Sequence, residues 1–258
     1  MTLLDAMIEA AGIAGDEVLR IRGAGYVVHS KADHSPVTAA DQAAEAIILA
    51  HLARAAPGVP VVAEEQAAAG AAPEVAGRFF LVDPLDGTKE FVAGRDEFTV
   101  NIALIEDGVP VLGVVGAPAL GRMFAGDVAR RESFELRRVA ASPEPVRWQL
   151  RVRATPAGGP VAVASRSHGS DATEAWLATA GISARVSIGS SLKFCLLAAG
   201  EADVYPRFGP TMEWDTAAGH AVVLAAGGVV YDTEGRPLRY GKPGFRNPSF
   251  IASAAAAP

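Results

Sequence analysis

Phe79-Phe80-Leu81-Val82-Asp83-Pro84-Leu85-Asp86-Gly87-Thr88-Lys89-Glu90-Phe91 passes from four consecutive apolar residues into two carboxylates and a hydroxyl within six positions. The apolar run reads as a buried strand, and the acidic stretch as the turn at its carboxyl end. Asp83 and Asp86 supply the anionic oxygens that a hard cation such as Mg²⁺ prefers, and a tight turn aims both carboxylates, with the Leu85 carbonyl, at one point. Pro84 stiffens that turn and Gly87 lets it bend. A helical turn beginning near Thr88 directs free backbone N–H groups at the same point, where a phosphate oxygen is received. The plainer reading is a turn followed by a capped helix, so the rest of the chain has to decide.

Working outward, a second strand over Val59 to Ala63 ends in Glu64-Glu65. If the two strands are neighbours, acidic groups from both carboxyl ends meet at one rim, where a divalent cation relieves their repulsion. Upstream, residues 3 to 20 carry apolar residues at helical spacing, and Thr38 caps a second helix reaching Ala56, with Asp41 in its first turn and Pro57-Gly58 ending it. Lys31 to Val37 reads as a polar loop. Downstream, Phe98 to Glu106 and Val109 to Ala117 form a strand pair joined by an Asp107-Gly108 turn.

Beyond Ala125 the periodicity fades into an Arg-, Glu- and Pro-rich stretch through Pro160, read as a variable connection with one or two strands. A division into 1–127, an α+β half with most of the acidic site, and 128–258, an α/β half, is expected, the two forming one unit. The second half alternates strands at Val161 to Ala164, Ala184 to Ile188 and Ala202 to Tyr205 with helices at Ser170 to Ala180, Ser191 to Ala199 and Asp215 to Ala226. Such alternation favours layered α/β packing. The tail from Ala254 to Pro258 is expected to fray.

The 258 residues, half of them hydrophobic and a fifth charged, suit a globular chain with a large core. No apolar run approaches the roughly 18 residues of a membrane span. Asp5 and Glu9 interrupt the apolar pattern at the start, so no secretory leader is expected, and Cys195 as the lone cysteine leaves no intrachain disulfide. Both point to the cytoplasm. A net charge of −6 argues against polymeric nucleic acid and anionic membranes as partners, while leaving room for a local basic pocket. Cys195 lies in Phe194-Cys195-Leu196-Leu197 and reads as core.

Basic and hydroxyl groups recur where strands end. Ser165-Arg166-Ser167-His168, Gly189-Ser190-Ser191-Leu192-Lys193 and Arg207 all follow second-half strands, and together they suggest an anion subsite. Trp214-Asp215-Thr216 opens a helix, with Asp215 either capping it or serving as a further ligand.

Taken together, Glu64-Glu65, DPLDGT at 83–88 and WDTAAG at 214–219 resemble the inositol monophosphatase superfamily of Mg²⁺-dependent, lithium-sensitive phosphatases. Within it, SPVTAAD at 35–41, DPLDGTKEF at 83–91, EFTVNIALI at 97–105, SRSH at 165–168, GSSLKFC at 189–195 and YPRFGPT at 205–211 are similar to the CysQ type, the 3'(2'),5'-bisphosphate nucleotidases. The resemblance covers nearly the whole chain and is weakest from Gly121 to Pro160. It implies an alternating α/β/α/β/α sandwich. It also implies a site of two or three Mg²⁺ ions held by Glu64, Asp83, the Leu85 carbonyl, Asp86 and Asp215, with Asp41 and Thr88 orienting or deprotonating the attacking water. Glu64, Leu85, Asp86, Gly87, Thr88 and Asp215 would line the scissile phosphate, and His168, Ser190, Lys193 and Arg207 would hold the nucleotide.

The implied reaction is hydrolysis of 3'-phosphoadenosine 5'-phosphate to AMP and phosphate in sulfate assimilation, with 3'-phosphoadenylyl sulfate as a second substrate. The alternatives are an inositol monophosphatase or fructose 1,6-bisphosphatase using the same centre, and a nucleotide-binding module without turnover. The resemblance leaves peripheral contact with the cytoplasmic face of the inner membrane open. In-line displacement at a phosphate monoester needs charge neutralised on both the attacking and leaving oxygens, which this donor set suits.

Overall fold

The strand carrying Phe79 to Val82 is buried on both faces, which is why its sequence shows no polar alternation. Phe79 and Leu81 face one apolar cluster, and Phe80 and Val82 face another. The computed structural model describes residues 1–30, 36–138, 145–165 and 170–254. Its first half runs α1 (Leu3–Ala24), β1 (Val28–Ser30), β2 (Pro36–Thr38), α2 (Ala39–Ala55), β3 (Val61–Ala63), α3 (Glu64–Ala68), β4 (Arg78–Asp86), α4 (Thr88–Val92), β5 (Thr99–Glu106) and β6 (Val109–Ala117). It continues through β7 (Arg122–Asp127), β8 (Glu132–Arg137), β9 (Val146–Gln149), β10 (Ala162–Ser165), α5 (Asp171–Thr179), β11 (Arg185–Ile188) and α6 (Leu192–Ala198). The last elements are β12 (Val204–Arg207), α7 (Ala217–Ala225), β13 (Val229–Asp232) and β14 (Phe250–Ser253).

Strands β3 to β9 form a seven-stranded sheet in sequence order, and a five-stranded sheet has the order β11-β10-β12-β14-β13. The side-chain period of two sorts the core. On one face of the larger sheet, Phe80, Val82, Ile102, Leu104 and Val114 pack against Met7, Ala10 and Val18 of α1 and Ile48 and Leu52 of α2. On the other, Phe79, Leu81, Ala103 and Val115 meet Phe194 and Leu197 of α6, Val222 of α7, and Tyr205, Phe250 and Ala252 of the smaller sheet. The outer face of that smaller sheet holds Ala162, Val204 and Ile251 under Leu177 of α5. Helices and sheets therefore alternate in five layers, the expected sandwich. No described helix is long and apolar enough to cross a membrane.

Beyond Ala125 the structure holds β8 and β9, within the one or two strands expected, and with β7 they extend the large sheet through antiparallel pairing. Arg122 of β7 pairs with Glu135 across the strands, and Arg137 meets Glu135 along β8. Glu135, 1% exposed, accepts from Arg122 Nε at 2.5 Å and from Arg137 Nε at 2.6 Å. The expected division at residue 127 falls inside the β7–β8 hairpin. Strands β13 and β14 were not anticipated, and Ala254, expected to fray, is buried and donates its N–H to the Asp203 carbonyl at 2.9 Å. Residues 31–35 of the expected polar loop and 255–258 of the tail lie outside the described residues; Pro36 to Thr38 form β2 instead of loop. Cys195 is fully buried, and that burial pushes its thiol pKa up.

Helix α7 lies unusually close to the sheet. Gly113 of β6 and Gly126 of β7 are cross-strand partners beneath it. A Cβ at Gly113 would stand 2.3 Å from the Ala218 carbonyl oxygen, and one at Gly126 would stand 2.8 Å from Val222 Cα. On its opposite side, a Cβ at Gly219 would stand 2.6 Å from Phe194 Cβ of α6. The helix is held between two surfaces that have no room for a methyl group.

Gly113→Ala is therefore expected to destabilise the protein by about 2 kcal/mol or more, because the helix backbone has to move. Gly12→Ala, inside α1 with nothing within 4 Å of the new Cβ, is expected to add roughly 0.5–1 kcal/mol. Urea midpoints of the two variants test both signs. Glu135→Gln should cost about 2–4 kcal/mol at pH 7, since it leaves two guanidinium groups without their shared carboxylate. The Arg122 and Arg137 bonds hold the Glu135 pKa below its ordinary value, burial opposing them. Its stabilisation is thus present above about pH 4.5 and lost as pH falls through the depressed value, so melting curves of parent and variant should converge toward pH 3.

Candidate active site

Parallel pairing of β3 with β4 sets Ala63 beside Val82, so Glu64 and Asp83 leave adjacent strands at the same level. This is the shared acidic rim the sequence suggested. Between β4 and β5 the partners step from Asp83–Asn101 to Asp86–Thr99, a bulge with one extra residue on β4. The bulge resets the alternation, so that Asp83 and Asp86 both project to the face of Thr99 and Asn101. Within the turn, Leu85 N–H donates to Asp83 Oδ1 at 3.0 Å. Gly87 then adopts φ 89° and starts α4 at Thr88; a Cβ there would stand 3.1 Å from the Glu97 carbonyl oxygen. Only glycine makes this turn without strain.

Asp41 is buried in the first turn of α2, where it completes a capping box. Its Oδ2 accepts from Thr38 N at 2.7 Å and from Thr38 Oγ1 at 2.8 Å. Its other oxygen is left facing Thr88 Oγ1 at 3.3 Å, and Thr88 Oγ1 also lies 3.1 Å from the Leu85 carbonyl oxygen. The cap thereby aims one carboxylate oxygen at the DPLDGT turn. Asp215 lies just before α7, whose cap residue is Thr216, and its Oδ2 accepts from Met212 N–H at 2.8 Å. It closes a turn and does not cap the helix.

One cavity of about 300 Å³ gathers Glu64, Asp86, Gly87, Thr88, Ser190, Lys193, Arg207 and Asp215 along its walls. Asp41, Asp83 and Leu85 stand behind the acidic wall, each about 1% exposed. Opposite the carboxylates, Lys193 in the first turn of α6 donates to the Ser190 carbonyl and lies 5.6 Å from the Tyr205 ring centre. Arg207 is the last residue of β12 and not the residue after it, as the sequence suggested; its Nη2 donates to the Pro210 carbonyl at 3.0 Å. His168 lies outside the described residues.

The electrostatics follow from crowding four acids in one recess. Asp83 is pushed well above the usual carboxylate range by burial, then by Glu64, Asp86 and Asp215. Burial, Asp86 and Glu64 do the same to Asp215. Burial raises Asp86 to about 6, with the Lys193 charge and the Ser191 N–H opposing it. Burial lowers Lys193 to about 8, with Asp86 opposing. Every donor on the acidic wall is oxygen, and each carboxylate raises its neighbours' proton affinity; a hard divalent cation relieves that repulsion, so the donor set fits one. Among the described residues no three acids, imidazoles or thiols already form a group tight enough to hold an ion. Asp86 and Asp215 each commit an oxygen to a backbone N–H.

Several supporting residues escaped sequence reasoning. Glu45, buried on α2, accepts from Glu65 N at 2.8 Å and Gln66 N at 3.1 Å, and so fixes the start of α3 and with it Glu64. Its only signal was an acid on the apolar face of a helix. Glu213, also fully buried, accepts from Gly241 N at 2.7 Å and Lys242 N at 3.0 Å beside the Asp215 turn.

Comparison with known proteins matches this geometry to a family. A profile described as the inositol monophosphatase family matches residues 2–257. The 3'(2'),5'-bisphosphate nucleotidase CysQ of Escherichia coli (strain K12) is 46% identical over 254 residues, covering 97% of this chain and 99% of the relative. CysQ from Bacteroides thetaiotaomicron superposes with a TM-score of 0.80 at 38% identity, covering 97% of this chain and 96% of that one. An IMPase from Thermotoga maritima gives 0.75 at 25% identity, with 97% and 91% covered. Five alternating layers, an acidic rim at the ends of β3 and β4, and a match along almost the whole length lead to one conclusion: the chain belongs to the inositol monophosphatase family.

Proposed function

We propose that the protein is a 3'(2'),5'-bisphosphate nucleotidase that removes the 3'-phosphate of 3'-phosphoadenosine 5'-phosphate to give AMP and phosphate, and acts on 3'-phosphoadenylyl sulfate as a second substrate. The observation that carries this reading is a single cavity with an acidic wall of Glu64, Asp86 and Asp215 facing a basic one of Lys193 and Arg207. A substrate with two phosphate groups meets both poles: one group on the acidic, cation-binding side and the other against the fixed positive charges. The likeness to the CysQ nucleotidases over 97% of the chain supports the nucleotide as the scaffold between them.

Glu64, Asp83, the Leu85 carbonyl, Asp86 and Asp215 would hold Mg²⁺, two or three ions in all. The cation supplies Lewis-acid neutralisation of phosphoryl charge and acidifies water. The rest falls to the chain. Asp41 Oδ1, free of the capping box, is placed to receive a proton from the attacking water through Thr88, whose hydroxyl stands between Asp41 and Leu85. Gly87 and Thr88 offer backbone N–H groups to the scissile phosphate. Ser190, Lys193 and Arg207, with His168, hold the nucleotide. On this reading the chain up to residue 127 supplies most of the cation site, and the remainder supplies nucleotide binding together with Asp215. The location is cytoplasmic.

Two experiments test the assignment. In a phosphate-release panel at one Mg²⁺ concentration, the adenosine bisphosphate should be hydrolysed with a kcat/KM at least about tenfold above inositol monophosphate or fructose 1,6-bisphosphate, and Asp86→Asn should abolish release. Preference for either sugar phosphate would reverse the assignment, and nucleotide binding without release would leave a binding module. Separately, Lys193→Ala should raise KM for the bisphosphate about tenfold or more while changing KM for a simple monophosphate far less. Equal effects on both would remove Lys193 from the nucleotide subsite.

A further inference from the structure

Ser191 is the cap residue of α6, yet its side chain makes no capping bond. Its backbone is already helical there (φ −68°, ψ −5°), and Ser190 Oγ, one residue earlier, accepts from Leu192 N–H at 3.4 Å. The Ser191 hydroxyl crosses to β5 instead, where it lies 2.8 Å from Thr99 Oγ1 and 2.7 Å from Asn101 Oδ1. All three residues are at most 2% exposed.

The direction of this chain is fixed by its end. Asn101 Oδ1 only accepts, so the Ser191 proton goes to it, and Ser191 Oγ in turn accepts from Thr99. Buried bonds linked in this way polarise one another and hold a single geometry. The backbone of the same residue supplies the functional contact, because Ser191 N–H donates to Asp86 Oδ2 at 2.5 Å. Immediately before it, Ser190 adopts φ 52°, a left-handed conformation that a non-glycine residue keeps only when its surroundings impose it. Gly189 is equally constrained: its N–H donates to Glu97 Oε2 at 3.2 Å, and a Cβ there would stand 2.9 Å from the Glu97 carbonyl oxygen.

We infer that Ser191 is a positioning residue for Asp86. Its hydroxyl, held by Thr99 and Asn101, pins the loop whose N–H fixes one Asp86 oxygen and leaves the other toward the cavity. Ser191 is part of the cavity lining, and its hydroxyl, turned to Thr99 and Asn101, acts through Asp86. A polar network inside the core would serve packing alone; the Ser191 N–H on Asp86 and the imposed Ser190 backbone are what a packing role leaves unexplained. The inference rests on the reading of Asp86 as a Mg²⁺ ligand.

Mg²⁺ is titrated into the purified parent, Ser191→Ala and Thr99→Val, by calorimetry without substrate and by phosphate release at saturating adenosine bisphosphate. Ser191→Ala should weaken Mg²⁺ binding and raise the half-saturating concentration about tenfold. Its KM for the bisphosphate at saturating Mg²⁺ should stay within about twofold of the parent. Thr99→Val keeps the branched shape of a strand residue and removes the hydroxyl that meets Ser191 Oγ at 2.8 Å and Asp86 Oδ2 at 3.5 Å, so it should move Mg²⁺ binding in the same direction, and it carries the test if Ser191→Ala does not fold. Mg²⁺ binding equal to the parent in the variants overturns the inference, as does a raised KM with an unchanged Mg²⁺ requirement, which would place Ser191 in the substrate wall. A parent that binds no Mg²⁺ and releases phosphate without it overturns the reading of Asp86, and the inference with it.

Discussion

Carboxylates that repel one another must be held in place before a cation can join them, and most of the architecture around the cavity answers to that demand. The four acids are fixed by three separate parts of the fold. Glu64 follows the end of β3, where Glu45 anchors the helix start. Asp83 sits in the paired part of β4, and Asp86 is turned to the same face by a bulge. Asp215 is locked by its own turn before α7. The raised proton affinities of Asp83 and Asp215 reflect burial first and this crowding second. A looser scaffold would let the groups drift apart into solvent, so the large sheet and its two covering layers hold together a cluster that is unfavourable in isolation.

The opposing charge comes from a different part of the chain. Lys193 and Arg207 reach the cavity from the start of α6 and the end of β12, elements of the layers beyond the large sheet. Their burial would be costly without the acids, just as the acids' burial is eased by Lys193; the influence of Asp86 and Lys193 on each other runs in opposite senses. The two walls meet through hydrogen bonds from Gly189 to Glu97 and from Ser191 to Asp86, which makes the cavity a seam between layers and not a groove on either one.

Much of this was legible because the signals were local. The apolar run at Phe79 to Val82, the Asp107-Gly108 turn and the Thr38 cap each depend on residues close in sequence, and each element formed within two or three residues of its expected position. The acidic motif was readable for the same reason. What stayed hidden depended on how the chain folds back or turns. The charges of Arg122, Glu135 and Arg137 looked like a solvated connection because nothing local shows that Arg122 of β7 meets Glu135 of β8, beside Arg137 on the same strand. Asp215 looked like a helix cap because its bond to Met212 depends on the shape of a turn. Thr99, Asn101 and Ser191 sat in plain view inside recognisable motifs, but nothing in their spacing says that a serine beside a helix start would turn to a strand about ninety residues away.

The cross-strand glycines Gly113 and Gly126 have a bearing on how this chain can change over generations. They touch no charged group of the cavity, yet they set the height at which α7 rests on the sheet, and Asp215 stands at the beginning of that helix. Ala218 and Ala221 already face Gly113, so the helix has little left to give up there if the sheet gains a side chain. Drift at this spot must therefore be concerted. Chimeras of related proteins joined between β7 and α7 inherit a floor from one parent and a helix from the other, and their fitness turns on whether those two surfaces were shaped together.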